Sequence, residues 1–215
     1  MFVTAASSNH FKSLKQFIRS LNGAPVIVYD IGLSPSQAEE IKGFPVEYRL
    51  FDWSKVPEWG HLSAANAGSY VWKPVIIHEV FQEGYELLIW CDAGNVVTDI
   101  NTLENCVRGH KIYTGTSSGN LSRYTHDICL NGMGITPEEK TYAMRNAACI
   151  GFVAGDEITK RFLDQWKNCC LRRELIEGSR DNHRHDQSIL SCLFYKYRRA
   201  NCPTYIGYII HQDCD

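Results

Sequence analysis

Short apolar runs alternate with stretches striped at helical spacing along most of the chain. Phe2-Val3-Thr4-Ala5-Ala6 predicts a strand, followed by a helix that Ser8 or Asn9 caps and that Phe11, Leu14, Phe17, Ile18 and Leu21 stripe. Val26-Ile27-Val28-Tyr29 predicts a second strand ending at Asp30, and Ser34-Pro35 opens a short helix with a cap and a proline at its first position. A third strand is expected at Val46-Glu47-Tyr48-Arg49-Leu50. A polar and aromatic loop over 51–68 then leads to Lys73-Pro74, the first turn of a helix carrying Val75, Ile76, Val80 and Phe81. Leu87-Leu88-Ile89-Trp90-Cys91 predicts a fourth, fully buried strand. It ends in Asp92-Ala93-Gly94, which delivers a carboxylate to the sheet edge beside two small residues that let a bulky group approach. Asp92 reads equally as a cap on an ordinary turn.

The second half is more mixed. Lys111-Ile112-Tyr113-Thr114-Gly115 predicts a strand, and Thr136-Pro137-Glu138-Glu139 is a capping-box pattern that predicts a helix to about Arg145. Residues 147–154 are apolar and strand-like. Asp156 caps an expected helix striped by Ile158, Phe162, Leu163 and Trp166, and Ile189, Leu190, Leu193 and Phe194 stripe another. Tyr205-Ile206-Gly207-Tyr208-Ile209-Ile210-His211 alternates toward a last strand. The strand and helix alternation predicts an α/β fold with a mostly parallel central sheet and helices on both faces. Ligands are expected at a switch point near the ends of the first and fourth strands. With no repeat, linker or low-complexity stretch, residues 1–215 are expected to form a single domain.

Charge narrows the partners. A formal net charge of −2 argues against a nucleic-acid partner, which would need a basic face. The clusters Arg172-Arg173 and Lys196-Tyr197-Arg198-Arg199 follow apolar-periodic stretches and read as last-turn charges favouring a helix dipole. Nine cysteines, odd in number and without a Cys-x-x-Cys, read as mostly reduced small hydrophobes rather than a zinc site or disulfide framework. The first residues carry no pattern of a secretory signal, and no run reaches membrane-span length. A cytoplasmic enzyme is the expectation, with the catalytic fragment of a Golgi-type or viral enzyme as alternatives.

No Gly-x-Gly-x-x-Gly follows the first strand and no Walker motif occurs. Thr4-Ala5-Ala6-Ser7-Ser8 ends that strand instead, small and hydroxylated, fit either for hydrogen bonding a nucleobase or ribose or for capping the next helix. Four segments then resemble, in order, the nucleotide-sugar-dependent glycosyltransferases of the GT-A fold. They are Val28-Tyr29-Asp30-Ile31-Gly32-Leu33-Ser34, Tyr70-Val71-Trp72-Lys73-Pro74, Leu88-Ile89-Trp90-Cys91-Asp92-Ala93-Gly94 and His185-Asp186-Gln187-Ser188. The resemblance is to poorly characterised members with Tyr-Asp-x-Gly-Leu-Ser and Trp-x-Asp-Ala-Gly/Ser motifs, distantly glycogenin-like, and it implies one Rossmann-like GT-A domain.

It also implies roles. Thr4, Ala5 and Ala6 would surround a uracil-like base with Asp30 near it, and Lys73 would be catalytic, holding the diphosphate or sugar and stabilising the charge that grows on the leaving diphosphate. A lysine at a helix start is itself unfavourable unless an anion lies close. Asp92, Ala93 and Gly94 stand where relatives carry Asp-x-Asp, so Gly94 replaces the second acid. Asp92 and His211 would be the protein ligands of a Mn²⁺ or Mg²⁺ ion, completed by diphosphate oxygens and water. Asn146 and Ala147 would line the sugar pocket. Asp186 and Gln187 would lie beside the transferred sugar, with Asp186 orienting its hydroxyls or acting as a base. The 116–120 loop and residues 124–126 are acceptor-side candidates. The expected reaction is transfer of a hexosyl group from a UDP-sugar such as UDP-glucose to a carbohydrate, glycoprotein or other hydroxyl acceptor. Two alternatives stand beside it. One is an inactive nucleotide-sugar-binding relative, favoured by Gly94; the other is a nucleotidyltransferase, which would carry a Gly-rich basic loop that residues 4–9 lack.

Overall fold

Three mostly apolar strands, Phe2–Ser7 (β1), Val26–Gly32 (β2) and Leu87–Cys91 (β4), suit the interior of a mainly parallel sheet covered by helices on both faces. That is where the computed structural model, which describes residues 1–63, 66–197 and 208–214, places them. Helix Phe11–Ser20 (α1) joins β1 to β2, and Pro35–Lys42 (α2) joins β2 to the edge strand Glu47–Leu50 (β3). Trp72–Gln82 (α3) leads into β4. The six-stranded sheet runs β3-β2-β1-β4-β7-β6, where β6 is Ile112–Asn120 and β7 is Ala143–Val153. The first four strands are mutually parallel, and β7 runs antiparallel between β4 and β6, so five of the six point the same way.

Between these strands lie Asn95–Val97 (β5), Ile100–His110 (α4), Leu121–Tyr124 (α5) and Asp127–Gly132 (α6). After β7 come Glu157–Cys170 (α7), Arg173–Ile176 (α8), Asp186–Lys196 (α9) and Ile209–His211 (β8). Helices α3, α7 and α9 pack together as one layer. On the other side α1 covers β1 and β5, while α4 lies on β4, β6 and β7. At Gly151 α4 comes so close that an added Cβ would stand 2.2 Å from Val107 Cγ2. The exposed edge at β3 is charged, with Arg49 paired to Glu47 and Glu83, which blunts unwanted strand addition.

Several local expectations change. Thr136 and Glu139 do form their reciprocal bonds, but only the short turn Glu139–Thr141 follows, because the next residues zip into β7. Pairing of the start of β7 with β6 outweighs the local helix signal. The 116–120 segment is the far end of β6 rather than a loop. Neither Ser8 nor Asn9 caps α1: a 3-10 turn, Ser8–His10, precedes it, and Ser8 Oγ donates instead to Gly32 O. Ile158 is exposed, unlike Phe162, Leu163 and Trp166. The final strand pairs with β5, outside the main sheet, and its expected first residues, 205–207, lie outside the described residues, as do Arg198, Arg199 and Cys202. The eight described cysteines are free thiols. Among the described residues no helix is long and apolar enough to cross a membrane.

Candidate active site

Strand order reverses where β1 meets β4, and a cleft opens there beyond the carboxyl ends of the parallel strands. Its volume is about 1170 Å³; Ala5, Ala6, Ile31, Gly32, Trp53 and His61 line one part, and Asp92, Gly94 and His211 another. A smaller pocket of about 190 Å³ is lined by Lys73, Ala147, Ala148, Arg184, Asp186 and Gln187. Tyr70, Asp92 and Arg180 border both spaces, so they meet at one junction. Single ligand sites commonly hold roughly 300–1,000 Å³. A large cleft joined to a small pocket therefore suits a ligand in two unequal parts.

Lys73 organises the junction. It sits one residue into α3, where the helix dipole disfavours a cation, and its side chain is almost wholly buried. The protein supplies the missing anions: Lys73 Nζ lies 2.9 Å from Asp92 Oδ1 and 3.5 Å from Asp186 Oδ2, and donates to Ala147 O at 3.3 Å. Burial opposes the charge, but the carboxylates of Asp186 and Asp92 outweigh it and hold the ammonium above its ordinary value. The cation expected to meet a diphosphate is thus committed to two aspartates. It ties the end of β4 to the start of α9.

Burial raises Asp186 to about 6, with Asp92 adding to the rise and Lys73 opposing it. Its Oδ2 has no hydrogen-bond partner. Asp92 is steadied from several sides: Trp90 Nε1 donates to its Oδ1 at 2.7 Å, its own N–H donates to Ala148 O at 2.8 Å, and its C=O accepts from Asn95 N at 3.0 Å. About a third of its side chain stays exposed to the cleft.

Backbone strain gathers at the same place. Ser69, Tyr70 and His185 all have positive φ, at 50°, 60° and 52°, and they flank the junction immediately before Lys73 and Asp186. Non-glycine residues are held this way only where surrounding structure over-determines them, which is common at functional sites. Gly68 makes the turn possible: it also has positive φ, and a Cβ there would fall 2.0 Å from Gly60 O.

The remaining expected site residues divide. Ala5, Ala6, Asp92, Ala93, Gly94 and His211 line the large cleft, and Lys73, Ala147, Asp186 and Gln187 line the small pocket. Thr4 is buried beneath the cleft and reaches neither space. Asp30 is occupied by the fold: its Oδ1 accepts from Gly32 N at 2.8 Å and Leu33 N at 2.7 Å, and its Oδ2 from Tyr48 Oη at 2.5 Å. Asn146 lines neither space; within β7 its Oδ1 accepts from Ala148 N at 2.6 Å, beside Ala147 and Ala148, which do line the small pocket. His183 is buried against His126 with ring centroids 4.0 Å apart, and burial, then the two neighbouring histidines, push it down to about 3. Trp53, His61, Arg180 and Arg184 were not singled out as site residues from the sequence. Aromatic density in 51–68 was the signal for the first two.

The donor set can be weighed for a divalent cation. A Cβ on Gly94 would stand 3.0 Å from His211 Cε1 and 3.6 Å from Asp213 Cβ, so the place of the absent acid opens onto the histidine. Among the described residues no three His, Cys, Asp or Glu side chains gather closely enough to hold a metal unaided. Asp92 and His211 line the same cleft as one oxygen and one nitrogen donor; a hard divalent cation there would need most of its ligands from diphosphate oxygens and water.

The fold is that of the GT-A glycosyltransferases. The bifunctional glycosyltransferase WbbM, in its apo structure, matches 95% of the chain at a TM-score of 0.59 and 14% identity. The galactosyltransferase LgtC, in complex with donor and acceptor sugar analogues, matches 98% at 0.57 and 13% identity, and an active-site mutant of LgtC matches the whole chain at 0.59 and 14%. The chain spans 38% of WbbM and 86–87% of LgtC. A family model described as a protein of unknown function, DUF1647, matches residues 1–78, from β1 into α3. No curated protein matches the chain.

Proposed function

We propose that this chain is a nucleotide-sugar-dependent glycosyltransferase that moves a hexosyl group from a UDP-sugar, UDP-glucose or a relative of it, to a hydroxyl on a carbohydrate or glycoprotein. The observation that carries the reading is the junction of the two spaces at Asp92. The large cleft has the size and aromatic lining to take a nucleoside and the small pocket would take one sugar, so the bond to be broken would fall between them.

The bond from the sugar anomeric carbon to the diphosphate oxygen breaks, the acceptor oxygen bonds to that carbon, and the acceptor proton leaves. Negative charge grows on the diphosphate. A Mn²⁺ or Mg²⁺ ion held by Asp92 and His211 would neutralise it. Asp186, ionised above about pH 6, orients sugar hydroxyls or takes the acceptor proton. Lys73 is a positioning residue, fixing Asp92 and Asp186 relative to one another. Titration of UDP with and without Mn²⁺ into wild type and Asp92→Ala tests the arrangement. Tighter binding with metal, lost in the variant, is expected; indifference to both refutes the metal role.

Gly94 supports a second reading, a nucleotide-sugar-binding protein without transferase activity. UDP and UDP-sugar binding with no release of UDP from any donor, with or without acceptors, would favour it.

A further inference from the structure

The rim of the small pocket carries more positive charge than Lys73 and the two aspartates account for. Lys73 is spent on Asp92 and Asp186. Arg180 and Arg184 remain, both lining the pocket, and among the described residues neither forms an ion pair with a carboxylate. Their near neighbours behave differently: Arg172 is neutralised by Glu174 and Arg173 by Glu177.

Aromatic rings hold these two guanidiniums instead. Arg184 lies 4.3 Å from the centroid of the Tyr124 ring, and Arg180 lies 6.0 Å from that of Tyr70 while donating to its hydroxyl. A ring face fixes the plane of a guanidinium without using up its in-plane N–H donors. Tyr70 and His185 on the same two segments both have positive φ. His185 between them adds no charge, since burial pushes its imidazole down and both arginines reinforce the shift.

We infer that Arg180 and Arg184 form a recognition site for a carboxylate on the sugar seated in the small pocket, so that one substrate of the reaction is an acidic, uronate-type sugar. The inference rests on the nucleotide-sugar reading above. Arg184 borders the small pocket and not the large cleft, so it faces the sugar rather than the diphosphate, and its planar guanidinium matches a carboxylate by paired hydrogen bonds; Arg180 at the junction adds a second positive charge. The acidic group arrives on the donor or on the acceptor, and the test separates these.

Isothermal titration of the full chain with UDP, UDP-glucose and UDP-glucuronate reads the donor arm. Titration of the UDP-bound protein with glucuronate-ended and glucose-ended disaccharides reads the acceptor arm. The acidic member is expected to bind about tenfold or more tightly than its neutral counterpart in one arm, as one charge-assisted pair would give. Arg184→Gln should collapse that preference and Arg184→Lys restore part of it, with thermal melts confirming that both variants fold. Equal affinity for acidic and neutral sugars in both arms, or a preference that survives Arg184→Gln, overturns the inference while UDP still binds. Failure of UDP itself to bind removes the nucleotide-sugar reading and the inference together.

Discussion

Replacing Lys73 by methionine keeps the length of the side chain and removes the one cation between Asp92 and Asp186. Both Lys73 and Asp186 side chains are about 4% exposed, so water cannot take over the lost interaction. Breaking a buried pair by removing one partner costs about 3–5 kcal/mol, which for a chain of this size lowers Tm by roughly 10 °C. The pH dependence identifies the cause. In the wild type Asp186 is raised above its unfolded value to about 6, so the folded state holds its proton more tightly and stability falls as pH rises from about 4 to 6, then levels. Lys73 is raised as well, so its contribution is fully present below its ordinary value of 10.5 and fades only at higher pH. Without Lys73 the Asp186 carboxyl moves further up. Stability of Lys73→Met should therefore keep falling above pH 6, by at most about 1.4 kcal/mol per pH unit. Urea denaturation at pH 5, 6.5 and 8 reads this directly, and Asp186→Asn in the Lys73→Met background should abolish the extra slope. Parallel pH profiles for wild type and Lys73→Met would refute the reasoning.

Other residues give separate tests. Asp30→Asn should lower Tm by about 5–10 °C, since three hydrogen bonds to one carboxylate are disrupted, while UDP affinity of the folded protein changes less than about twofold. A large loss of UDP affinity at unchanged Tm would instead return Asp30 to the nucleotide site. Gly151→Ala should cost about 1–3 kcal/mol in chemical denaturation, because the added methyl meets Val107 and pushes α4 off the sheet. Gly94→Asp restores an acid beside His211 and should raise Mn²⁺ affinity in the presence of UDP about tenfold, read by titration; no gain would place the metal elsewhere.

What the sequence revealed follows from how local each signal is. Buried parallel strands are long apolar runs, and β1, β2 and β4 were legible for that reason, as was the acid they deliver at Asp92. Lys73 at a helix start implied an anion nearby, and the structure places two from its own chain beside it. The antiparallel half was harder. The start of β6 and the end of β7 were legible, but β6 continues in Thr, Ser, Gly and Asn and the start of β7 is decided by its neighbours, so a genuine capping pair at Thr136 and Glu139 pointed to a helix that does not form. Helix α4 carries readable marks, Asp99 accepting from Thr102 N and the buried pair Leu103 and Val107. Arg184 stands in the titratable run 182–188 ahead of α9, which gives it no role by itself, and Arg180 shows no pattern. Their role depends on a loop folding back over Tyr70 and Tyr124, contacts that no spacing encodes.

The central claim is that the two spaces meeting at Asp92 hold a nucleotide and the sugar it carries, poised for transfer. Release of UDP from a panel of UDP-sugars, glucose and glucuronate donors included, measured with Mn²⁺ and a mixture of carbohydrate acceptors, tests it most directly. At least one donor should be turned over, with the rate cut at least about a hundredfold in both Asp92→Ala and Asp186→Asn while each variant keeps a cooperative melt. Turnover unaffected by either substitution, or no turnover from any donor by a protein that also fails to bind UDP, would contradict the account.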